Sequence, residues 1–211
     1  MGVFLAFLAI NSAIKSDAPS IWRSAPEFWI YPVQTLVCAG LLLYFLRRYS
    51  IRRPRLICFT LAVALLVFAL WIAPQQWFHF ALRTTGFNPD VFATRPSLYW
   101  PTVAMRFLRL VVVVPFVEEI FWRGFLLRYV VNERFEDVEI GTFSWPSFAV
   151  VTVAFALAHS MADWPAALIT SALYNFVAYR SRSLGSCILA HAVTNLLLGL
   201  WIMATRQWGF W

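Results

Sequence analysis

Seven apolar runs, over 3–14, 28–46, 56–80, 98–131, 146–159, 165–179 and 184–204, make up most of this 211-residue chain. No polar surface built from the remaining residues could cover them in water. Only 13% of the residues are charged and 61% are hydrophobic, against roughly 25% charged in an ordinary soluble domain. Mean hydropathy is +0.70. These values exclude a soluble globular fold, a disordered chain and a fibrous one, and they make lipid the solvent for most of the surface. A spanning helix takes about 20 residues. The expected fold is therefore all-α, a polytopic membrane bundle of about seven transmembrane helices, forming one domain over 1–211.

Two runs depart from that length. The first, over 3–14, suits an interfacial or re-entrant piece. The fourth, over 98–131, is too long for one straight crossing, and Pro115 is expected to bend it. Helix-start signals stand at Pro101, at Ser144 with Pro146, and at Asp163 with Pro165. Without a basic segment before it or a small-residue cleavage site before Lys15, the N-terminal run does not read as a removable signal.

Of the 17 basic residues 16 are arginine, and five of them (Arg47, Arg48, Arg52, Arg53 and Arg55) crowd one inter-helix loop. In a chain this apolar, such a cluster sets topology and meets anionic headgroups; it does not form a nucleic-acid groove. Single crossings put that loop, the loop after Arg128 and the Arg180–Arg182 turn on one side. Lys15, Arg23, Arg83, Arg95 and Arg206 fall on the other. The bias favours a cytoplasmic arginine loop in a cell-membrane protein, with the N-terminus inside and the C-terminus outside. Cys38, Cys58 and Cys187 lie within apolar runs without a C-x-x-C spacing and are expected to be packing residues.

Each ionisable group inside a span costs about 2.5–3.5 kcal/mol to insert, so each is a candidate for function. Four places qualify: Arg106 with Arg109, the run Glu118–Arg123, His159, and His191 with Asn195. Glu118 and Glu119 project about 100° apart on a helix and cannot share surroundings. Glu119 and Arg123, at i and i+4, can compensate one another. Glu118 is left to face elsewhere, free to exchange protons. The plain alternative is that the trio only locks helices together, as the pair His191 and Asn195 could also do.

Depth links these residues. Glu118 lies 14 residues before Asn132, roughly 21 Å along its helix, and His159 lies 13 residues after Pro146, roughly 20 Å up the next, antiparallel helix. His191 and Asn195 reach roughly 10 and 17 Å into the last helix from the same side. Two carboxylates, two imidazoles and an amide at one level suit general-base activation of water with donors for an oxyanion.

In order along the chain, E-E-x-x-x-R at Glu118–Arg123 followed by Gly124, F-x-x-x-H at Phe155–His159 and H-x-x-x-N at His191–Asn195 resemble the three motifs of the CAAX protease and bacteriocin-processing family of intramembrane proteases. The resemblance covers roughly 102–199. It implies a glutamate-type peptidase in which Glu118 and His159 activate the hydrolytic water, His191 and Asn195 stabilise the oxyanion, and Glu119 with Arg123 organises the site. The substrate class implied is a membrane-embedded or lipid-modified polypeptide. A zinc ion held by the glutamate and the two histidines is the minority alternative, for which neither an H-E-x-x-H spacing nor evident partners for the imidazoles' other nitrogens can be found. Two other classes compete: a proton-coupled transporter with Glu118, His159 and His191 as relay, and a non-catalytic immunity or assembly factor on the same fold. The transporter lacks repeated halves with broken helices.

Overall fold

The computed structural model describes residues 1–49, 51–81 and 86–211. Arg83, counted above in the charge bias, lies outside the described residues. Every regular element within them is helical. Helix α1 is Gly2–Ile14, α2 the short Ile21–Ser24, α3 Glu27–Phe45 and α4 Ile57–Gln76. Helix α5 runs over 96–129, and α6 is Trp145–Leu157, α7 Trp164–Ser181 and α8 Leu184–Thr205.

Three helices are long and apolar enough to cross a membrane: Glu27–Arg48, Ile57–Gln76 and Leu184–Thr205. This is fewer than the seven expected. The shortfall has three physical sources. Helices α1 and α6 have 13 residues each, about 20 Å against a hydrocarbon core of about 30 Å. Helix α5 is divided by its π-wound segments into α-helical stretches shorter than a span. Helix α7 dilutes its apolar character with polar side chains turned inward, among them Ser171 and Asn175, both buried.

The long fourth run resolves into one uninterrupted helix. Within α5, Pro96–Phe107, Val114–Glu119 and Leu127–Tyr129 are α-helical, while Leu108–Val113 and Ile120–Leu126 are wound as π-helix. The irregularity thus lies in widened turns on both sides of the glutamate pair, with Pro115 just after the first. Alternating i→i+4 and i→i+5 turns brings the average to about four residues per turn. Side chains four apart then stay in register instead of drifting about 40° at each step. Arg106, Leu110, Val114, Glu118 and Trp122 form one such stripe, and all five line the same cavity. Pro115, Glu119, Arg123 and Leu127 form the neighbouring stripe, which is buried.

The core gathers where α4, α5, α6, α7 and α8 meet, around Val67, Trp122, Leu127, Phe155, Tyr174 and Ala190. Helix α8 packs along α4, and α7 lies against α4, α6 and α8. The arginine loop docks on the start of α8. Ser183 Oγ donates to the carbonyls of Arg52 (3.1 Å) and Arg53 (2.7 Å), and Ser186 Oγ receives the Arg55 N–H at 2.8 Å. A Cβ at Gly185 would stand 2.3 Å from the Arg52 carbonyl oxygen, so glycine permits this approach. The 182 turn also meets the loop after α5 through Arg182 and Glu139 at 3.5 Å. Cys38 and Cys187 are buried free thiols, whereas Cys58 is exposed on α4.

Candidate active site

Arg123 is fully buried and fully engaged. Its Nη1 donates to both Glu119 oxygens, at 3.1 and 3.2 Å. Nε reaches Asn175 Oδ1 at 3.0 Å, and Nη2 reaches the carbonyl and hydroxyl oxygens of Ser171 at 3.0 and 3.1 Å. The rings of Phe155 and Tyr174 flank the guanidinium at 5.2 and 5.5 Å. Glu119, also fully buried, receives a third contact from His191 Nδ1 at 2.8 Å. A buried pair of this kind is stable only when its remaining donors and acceptors are met, and α7 meets them with Ser171 and Asn175, spaced i and i+4. Sequence reasoning missed those two. The available signal was their spacing, the same as that of Glu119 and Arg123.

Glu118 has no ion pair or hydrogen bond among the described residues and lines a cavity of about 700 Å³. His159, His191 and Asn195 line it too. The four residues expected to do chemistry therefore share one cavity, with Glu119 and Arg123 behind its wall.

Three local arrangements differ from expectation. His159 does not close α6, which ends at Leu157; it stands in the following turn. There its Nδ1 is 2.8 Å from the Phe155 carbonyl oxygen, and Trp164 Nε1 donates to its own carbonyl at 3.2 Å. Secondly, both imidazoles have a partner on Nδ1, a carbonyl for His159 and a carboxylate for His191, which the sequence reading found wanting. Thirdly, Asn195 is partly committed, since its Nδ2 donates to the Leu110 carbonyl at 2.8 Å. That carbonyl sits in the first π-segment, five residues before Pro115, which has no N–H to offer. One amide hydrogen of Asn195 remains.

The N-terminal helices contribute wall without matching any motif. Phe4, Leu5 and Leu8 of α1 and Trp71 of α4 line the cavity. Gln34 of α3 fixes α1 by donating to the Phe4 carbonyl at 2.7 Å. Trp71 Nε1 donates to Thr170 Oγ1 at 2.9 Å, and the Trp71 ring lies 5.9 Å from that of His159. Among the described residues no three His, Cys, Asp or Glu side chains are grouped as a metal-holding set.

A helical membrane protein with a polar, glutamate- and histidine-lined cavity in its interior is the class that fold and site define. Residues 99–197 match the family model described as type II CAAX prenyl endopeptidase Rce1-like. The match takes in Glu118, Glu119, Arg123, His159, His191 and Asn195 and leaves α1–α4 outside. Over these 99 residues, somewhat less than half of the chain, the protein is similar to that family, a likeness that supports a CAAX-type intramembrane endopeptidase in general terms. No curated protein and no solved structure matches the chain.

Proposed function

We propose that the cavity is the hydrolytic site of a multi-pass membrane endopeptidase acting on a membrane-associated or lipid-modified polypeptide. One observation carries the reading: Glu118, His159, His191 and Asn195, from three separate elements, line one cavity, while the adjacent Glu119 is sealed under Arg123 and His191.

The hydrogen bonds divide the roles. With Nδ1–H given to the Phe155 carbonyl, neutral His159 presents an unprotonated Nε2, a proton acceptor. Glu118, which makes no ion pair or hydrogen bond among the described residues, is the second acceptor. Together they draw a proton from a water molecule as its oxygen attacks the peptide carbonyl carbon. Charge then moves to the carbonyl oxygen. His191, when it carries both protons, is paired through Nδ1 with Glu119 and directs Nε2–H to that oxygen; the free Asn195 amide hydrogen supplies the other donor. The C–N bond breaks as the abstracted proton passes to the leaving amine. Glu119 and Arg123 touch no substrate and are positioning residues.

Glu118→Gln and His159→Ala should each lower cleavage of a quenched peptide in detergent by about 10²–10⁴-fold, with thermal unfolding unchanged. Undiminished cleavage by either variant would overturn the assignment. Activity should persist after exhaustive chelation, because each step uses water and side chains; loss restored by zinc would select the metal alternative. Proton flux through sealed vesicles without proteolysis would select the transporter.

A further inference from the structure

Of the four residues expected to do chemistry, His159 alone stands outside a helix. Backbone hydrogen bonds hold Glu118 within α5 and His191 and Asn195 within α8, but α6 ends two residues before His159 and α7 begins only at Trp164. A reacting group has to be kept within about 0.5 Å and 10–20° of its working geometry. Contacts from other elements must therefore replace the helix at this place. The backbone is tied twice: the His159 N–H donates to the Ala156 carbonyl at 3.0 Å, and the His159 carbonyl accepts from the Trp164 indole at 3.2 Å. The half-buried imidazole rests its Nδ1 on the Phe155 carbonyl, a single hydrogen bond about which a ring can still tilt. Two aromatic rings limit that tilt. Phe155 lies 4.6 Å away with 34° between the planes, and Trp71 5.9 Å away with 54°.

The two rings differ in origin. Phe155 belongs to α6, the helix that leads into the turn, so it offers no fixed point from another element. Trp71 comes from α4, outside the matched residues 99–197. It is itself held. Its Nε1–H is given to Thr170 Oγ1 at 2.9 Å, and Thr170 is buried on α7. An apolar wall asks only for bulk, whereas a hydrogen bond from Nε1 also fixes the direction in which the indole lies. We infer that Trp71 is a positioning residue for His159: the indole, fixed by Thr170, restricts the tilt of the imidazole and keeps its Nε2 turned to the cavity beside Glu118. The inference deepens the reading of the cavity as a peptidase site and rests on it. It gives the N-terminal part of the chain a share in the reaction through one side chain. Because Trp71 acts through His159 and not on the peptide, its loss lowers kcat and leaves KM alone.

Trp71→Leu should lower kcat for a quenched peptide in detergent about 30–100-fold, with KM within about twofold of the wild type. Trp71→Phe keeps a ring without the tie to Thr170, and Thr170→Val keeps the indole but unties it. Each should lose about 3–10-fold in kcat, and these two variants carry the test if Trp71→Leu does not fold. A raised KM at unchanged kcat would make Trp71 a wall for the substrate and overturn the role, as would wild-type kcat in all three variants. A second readout needs no turnover. The chain has three histidines, so the ring Cε1–H signals of histidine-labelled protein in detergent can be assigned by NMR with the help of His159→Ala. Trp71→Leu should shift and broaden the His159 signal and leave that of His191 in place. An unmoved His159 signal overturns the inference whatever the activity. A shifted signal, together with a wild type that cleaves no peptide, would remove the peptidase reading and leave Trp71 as the residue that orients this imidazole.

Discussion

Arg123 and the pair Arg106 and Arg109 stand on the same helix and are almost equally buried, yet their surroundings are opposite. Arg123 is matched by Glu119, Asn175 and Ser171, with no nitrogen left over. The other two have aromatic faces, one glutamine and the cavity. In low-dielectric surroundings a charge without a partner is a cost the fold must bear. Where the partner is in hydrogen-bond contact, the charge serves architecture; where it is not, the charge stays open to the cavity. Glu119 and Glu118 repeat the contrast one residue apart, the first sealed and the second open.

The sharpest way to break the comparison is to remove the sealed cation. Arg123→Met leaves the Glu119 carboxylate buried beside an apolar side chain and strands Asn175 and Ser171. Truncating one partner of a buried pair costs about 3–5 kcal/mol, so the variant should unfold well below the wild type in a detergent melt. Adding Glu119→Gln should recover a large part of that loss, since the charge and its orphaned counterpart then disappear together. If Arg123→Met melts like the wild type, the network does not hold the site.

How far these positions could be read from sequence follows from the same physics. Glu118, Glu119, Arg123, His159, His191 and Asn195 were legible because ionisable groups and amides are rare in apolar runs, so few residues competed for attention, and because spacings of four put pairs on one face. That Glu118 and Glu119 differ in exposure followed from helical geometry. Ser171 and Asn175 offered only their spacing of four, and Thr170 not even that, since one hydroxyl or amide in a helix is cheap and common. Trp71, Phe4 and Leu8 were invisible for the converse reason: an apolar wall residue looks like any lipid-facing one. The π-segments left a trace that went uncounted, the run of chemically distinct side chains at 106, 110, 114, 118 and 122. Of the seven spans expected, three stand out by length and apolarity, and the other runs form helices that are short, divided by π-turns or lined with polar side chains.

A milder effect sharpens the other side of the comparison. Arg109→Gln removes an unpaired buried charge and one hydrogen bond to Gln34, two changes that oppose each other. Its melting should stay within about 1 kcal/mol of the wild type, in contrast to Arg123→Met. A loss as large as that of Arg123→Met would mean that Arg109, too, serves architecture.

The smallest expected effect concerns the wall that the motifs do not reach. Trp71→Phe keeps an aromatic ring beside His159 but withdraws the Nε1–H from Thr170 Oγ1, leaving a hydroxyl on α7 that has lost its only partner from α4. One neutral hydrogen bond contributes about 0.5–1.5 kcal/mol, so the melt should shift by that order. The informative comparison is with Thr170→Val, which removes the other end of the same bond. If the bond is what joins α4 to α7 there, the double variant should cost little more than either single one. Fully additive losses would mean that Trp71 acts through its ring alone, against His159, and that the N-terminal half meets the site by packing and not by a polar tie.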